Sequence, residues 1–134
     1  MAHHPPDHSK GDANTVGGYA AVHGRPAAFE GSDGLPYSVE VVGDETGDPA
    51  RPWGAYLLFL RWRRDGSQNV EGHLETDFLA WGASEADAVA AAGALRLSDA
   101  RDHLERLLTA LRAGAPGDAA EGPGRPWWEA MRDA

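Results

Sequence analysis

Glu71, His73, Glu75 and Asp77 stand at alternate positions within residues 70–78. Side chains along a β-strand alternate between its two faces. As a strand, this run puts all four ionisable groups on one face and Val70, Leu74, Thr76 and Phe78 on the other. Imidazole and carboxylate together form the donor set of a zinc, manganese or non-haem iron site. Same-face neighbours on a strand lie ~6–7 Å apart, so two adjacent ones can share an ion. His73, Glu75 and Asp77 are therefore candidate ligands for a divalent metal, with a further ligand needed from another element. The same pattern also describes the wet side of a half-buried antiparallel sheet. In that reading the row balances Arg61 and Arg63, and no cofactor is expected.

Arg61, Arg63 and Arg64 form the densest basic cluster. Their guanidinium groups suit bidentate recognition of carboxylate or phosphate, so Arg61 and Arg63 are candidate partner-binding residues. Whether they face Glu71 and His73 depends on the length of the hairpin loop near 65–69, because a one-residue slip reverses every side chain. His3, His4 and His8 lie in a polar N-terminal segment where weak metal binding is the alternative to a plain tail. His103 borders the apolar stripe of the last helix and reads as structural.

Several classes of function are disfavoured. The net charge is −9, which opposes non-specific nucleic-acid binding. Cysteine is absent, so disulfides, thiolate zinc sites and Cys nucleophiles are excluded. There is no Gly-rich phosphate loop and no Gly-x-Ser-x-Gly elbow. No run approaches the ~18 apolar residues that span a bilayer, and no membrane role is expected. The N-terminus lacks the apolar core of a signal peptide, so the expected location is the cytoplasm. Abundant Ala, Gly, Arg and Asp beside a single Lys suggest a GC-rich bacterial genome.

The elements that would position these residues follow from patterning. Residues 1–25 are polar and Gly-rich, and are expected to form a flexible tail. A single domain is expected over 26–112. Residues 27–30 and 37–42 read as strands, the second with Tyr37, Val39 and Val41 on one face. Residues 55–62 are apolar on both faces and read as a central strand. Residues 70–78 return as a fourth strand. Ser84-Glu85-Ala86-Asp87 is a helix-start signature, and Gly93 should end that helix. A second helix starts at Ser98-Asp99, with Ala100, Leu104, Leu107, Leu108 and Leu111 in one stripe. The fold class is α+β: a four-stranded, largely antiparallel sheet in ββββαα order, two helices on one face. The expected core contains Tyr37, Val39, Val41, Leu58, Leu60, Trp62, Leu74, Leu95, Leu104, Leu107, Leu108 and Leu111.

Residues 113–134 form a Gly- and Pro-rich linker and a tail carrying Trp127, Trp128 and Met131. So much apolar area in a linker-like tail suggests docking on a folded surface, its own or a partner's.

Over residues 55–97 the strand–strand–helix order, with Gly82-Ala83-Ser84-Glu85-Ala86-Asp87-Ala88 at the helix entry, loosely resembles the HicB-type antitoxin domain. The Pro-Asp-x-Pro-Gly type of element expected before that helix is replaced by Asp77-Phe78-Leu79-Ala80-Trp81. No basic DNA-binding segment follows. The reading that emerges is a small acidic protein-binding or regulatory domain, non-enzymatic and homodimeric. An antitoxin- or immunity-like role falls within it, since negative charge speeds association with a basic partner. A metal-binding protein or metal-dependent enzyme is the alternative.

Overall fold

The computed structural model describes residues 5–63 and 69–114. Its organising element is β3 (Trp53–Trp62). Ala55, Tyr56, Leu57, Leu58 and Phe59 are all buried there. Aromatic and branched side chains fill a pleated surface well. β2 (Pro36–Glu45) pairs antiparallel along one whole edge of β3, from Tyr37↔Arg61 to Glu45↔Trp53. β1 (Ala28–Glu30) lies outside the first part of β2 only, with Phe29 opposite Tyr37. The other edge of β3 is shared end to end by β4 (Val70–Glu75) and β5 (Ala80–Gly82). The result is a five-stranded antiparallel sheet in the order β1-β2-β3-β4, with β5 on β3.

Residues 70–78 read as one strand in the sequence; in the structure that strand stops at Glu75, and Ala80–Gly82 form a separate one. Between Leu58↔Glu75 and Ala55↔Ala80, β3 advances three residues while its partner advances five. The two surplus residues leave the ladder in an excursion over 76–79. Thr76 closes the gap they create. Its amide donates to Leu57 O at 3.1 Å. Its Oγ1 accepts from the Leu57 amide at 3.1 Å and donates to Asp77 O at 2.7 Å. A buried backbone donor needs an acceptor, and here a side chain supplies it. Leu79 N–H to Ala55 O at 2.8 Å then resumes the ladder. Phe78 folds back over Gly54, where a Cβ would meet its ring at 2.5 Å.

The helices pack on the face that carries Tyr37, Val39, Leu57, Phe59 and Leu74. α3 (Leu97–Arg112) buries Ala100, Leu104 and Leu108, one per turn, against these residues. α2 (Glu85–Gly93) places Ala88 and Ala92 on Ala55, with Val41 alongside. Ser84 caps α2 by accepting from the Asp87 amide at 3.1 Å, and Glu85 and Asp87 oppose the helix dipole. Leu57 and Phe59 fill the core beneath the helices, whereas Leu58, Leu60 and Trp62 lie on the opposite face. Leu95 and Leu107 pack at the core margin, and Leu111 is exposed.

Residues 16–23, expected within an unstructured tail, form a third helix, α1 (Val16–His23). Thr15 Oγ1 accepts from the Gly18 amide at 3.0 Å, and Gly24 ends the helix in the left-handed conformation at φ 68°. Val16 and Val22 are buried. Gly17 and Gly18 hide this helix from propensity, since glycine disfavours helices by about 1 kcal/mol each. The reason for Gly17 is contact: a Cβ there would lie 3.2 Å from Gly93 Cα on α2. Two bonds stitch the entry of α1 to the α2–α3 junction, Val16 N–H to Leu95 O at 2.9 Å and Leu97 N–H to Asn14 O at 2.8 Å. Among the described residues no helix is long and apolar enough to cross a membrane. His3, His4, Arg64, Trp127, Trp128 and Met131 lie outside the described residues.

Thr76→Val keeps the shape of the side chain but leaves the Leu57 amide without an acceptor. Its expected cost is about 1–3 kcal/mol by urea denaturation, with Thr76→Ser close to wild type. Equal midpoints for the Val variant and wild type would show that the excursion is not held by this bond.

Candidate functional site

β4 supplies the ionisable groups singled out by spacing, but the strand divides them. Trp62 pairs with Val70 and Arg61 with Gly72, so Glu71 is a surplus residue at a β-bulge. Glu71 Oε1 lies 3.4 Å from Arg61 Nε. Arg61 sits opposite Gly72 on the helix-bearing face, and a Cβ on Gly72 would meet its Nη2 at 2.8 Å. Arg63 N–H donates to Asn69 O at 3.1 Å, just beyond the β3–β4 ladder. Asp77 is exposed on the excursion.

His73 and Glu75 remain together on the helix-free face. His73 Nε2 lies 3.4 Å from Glu75 Oε1, an ion pair when the imidazole is protonated. Glu75 is 2% exposed, and neither carboxylate oxygen has a hydrogen-bond partner. A buried carboxylate in that state is expensive. Tyr56, diagonal to Glu75 on β3, feels it. Its pKa is pushed up to about 12, first by burial, then by the negative charges of Glu75 and Asp44. The Tyr56 hydroxyl approaches Glu75 without reaching full hydrogen-bond geometry. Chemically the cluster can hold a proton or a cation between an imidazole and a carboxylate. Among the described residues no three His, Cys, Asp or Glu side chains converge as a metal site. His103 on α3 stands apart from this cluster, its pKa lowered by burial and by the Arg106 guanidinium.

A second candidate is the outer edge of β2. The Val39 amide donates to Ala27 O at 3.0 Å, on the β1 side. Backbone groups alternate in direction along an antiparallel strand, so those of Val41 and Gly43 point the same way. β1 ends at the level of Ser38. Beyond it, no described strand pairs with the Val41 and Gly43 N–H and C=O groups. Beside this edge lies a cleft of about 800 Å³. Val39 and Val41 form its floor, Gly17, Ala20 and Ala21 of α1 one wall, and Val89 and Gly93 of α2 the other. Lys10 and Arg25 rim the α1 side, and Asp12 is occupied by the Asn14 amide at 2.9 Å. The cleft leaves no mark in the residue pattern, because it requires α1.

No family model, no curated protein and no solved structure matches this chain.

Two tyrosines titrate late. Tyr37, buried and donating to Asp33 Oδ2 at 2.6 Å, also has its pKa raised to about 12. An unfolded tyrosine ionises near pH 10. Their protonated forms therefore support the fold fully below pH 10, and that support is lost as pH rises through about 12. Absorbance titration should show late phenolate formation at two residues, with half of that late change lost in Tyr56→Phe. Ionisation of all tyrosines near pH 10 with the fold intact would contradict this.

Proposed function

We propose that this chain is a non-enzymatic protein-binding module that takes up an extended segment of a partner along the free edge of β2. The observation that carries the reading is the outward backbone of Val41 and Gly43, which no described strand pairs, beside an apolar cleft. Strand addition draws affinity from main-chain hydrogen bonds and specificity from pockets for alternate side chains. An edge that is neither paired nor covered is a template for another chain. An antitoxin- or immunity-like role fits the net charge of −9, which speeds encounter with a basic partner. The absence of cysteine fits a reducing cytoplasm.

The test is selection from a displayed library of random decapeptides, followed by hydrogen exchange. Selected peptides should slow exchange of the Val41 and Gly43 amides. Val41→Pro removes an outward donor while sparing the β2–β3 ladder, and should weaken binding. Selected peptides that protect a different surface, or no selected peptide at all, would overturn the reading. Light scattering reports separately on a homodimer.

A second reading is divalent-cation binding at His73 and Glu75, favoured by the buried Glu75 carboxylate with neither oxygen hydrogen-bonded. Asp77 would join only if the excursion moved. A metal that binds only the folded state at a hundredfold excess over its Kd adds about 2.7 kcal/mol. Zn²⁺ or Mn²⁺ should then raise the melting temperature of wild type and not of Glu75→Gln. No shift at millimolar metal would remove this reading.

A further inference from the structure

The β2 edge does not present a neutral strip to its partner. Alternation along β2 sends Val39 and Val41 toward the helices and the cleft, and Glu40, Val42 and Asp44 to the other face. Glu40 and Asp44 are both exposed, four residues apart, with half-buried Val42 between them. Directly opposed side chains on antiparallel strands have Cβ atoms ~4.5–5.5 Å apart, and like charges placed so repel. A second copy paired two-fold about Val42 would set Glu40 against Asp44 twice. The edge therefore disfavours its own copy and favours an oppositely charged strand.

Resting on the strand-addition reading, we infer that the partner segment is an extended peptide with Lys or Arg at two positions four residues apart. Its basic residues sit opposite Glu40 and Asp44. The residue midway between them is apolar and covers Val42. The flanking positions point toward the cleft side. The one opposite Val41 is apolar and enters the cleft. The one opposite Gly43 lies beside Glu85 and Val89 of α2, which crowd the space over Gly43. Lys10 and Arg25 on the cleft rim repel a basic residue from that side, which fixes the face on which the charges lie.

The experiment sequences the peptides recovered from the decapeptide library and compares three synthetic versions of one binder. The versions carry Lys, Gln or Glu at the two positions spaced by four. The Lys version should bind about threefold to tenfold more tightly than the Gln version, and the Glu version most weakly. The Lys advantage should shrink at high salt and vanish in Glu40→Gln/Asp44→Asn. Both substituted residues are exposed, so the variant should fold, and circular dichroism checks that it does. Recovered peptides with no basic enrichment at that spacing, or equal affinity of the three versions, would overturn the inference. That result leaves strand addition standing if Val41 and Gly43 are still protected. Loss of that protection is the separate failure of the underlying reading.

Discussion

The backbone of β3 has to be satisfied along both edges at once, and the rest of the molecule is arranged around that demand. Ala55, Leu57 and Phe59 are fully buried, so an unmatched amide there would have no water to turn to. β2 meets one edge with a continuous ten-residue strand. The other edge is met in two pieces, and the two-residue surplus between them is bridged by the Thr76 side chain. The helices then need cover only one face. Because β2 completes β3 and β1 is short, the backbone groups without a described strand partner are passed outward to Val41 and Gly43.

Much of this arrangement is readable in the chain. The β1–β3 strands and the two C-terminal helices follow from alternation, the Ser84 cap and the leucine stripe of α3. The choice of buried face on β3 does not. Leu57 and Phe59 alternate with Leu58 and Leu60, so apolarity is equal on both sides and only the helices decide between them. The break after Glu75 is equally silent, because Thr76 continues the alternation that its side chain then interrupts. α1 is concealed by Gly17 and Gly18, whose presence reflects a contact with α2 that no local rule contains.

The row of ionisable residues over 71–77 shows how a two-residue period can mislead. A bulge diverts Glu71 to Arg61, and the excursion carries Asp77 into solvent. Only His73 and Glu75 share an environment, and it is a dry one. The site we propose lies instead on an edge where the informative groups are backbone amides. These belong to every residue, and periodicity cannot flag them.

The crossing of α1 over α2 at Gly17 and Gly93 gives that helix a loose attachment. Glycine on glycine brings two backbones close with almost no side-chain area between them. Two buried valines and two backbone bonds near Leu95 and Leu97 supply much of the remaining hold. Segments so lightly anchored open with less free energy than the body they rest on. Held this way, α1 is a hatch that costs less to lift than the sheet costs to unfold. Since it forms one wall of the cleft, whatever occupies the cleft would also latch the hatch, coupling occupancy to the order of the N-terminal segment.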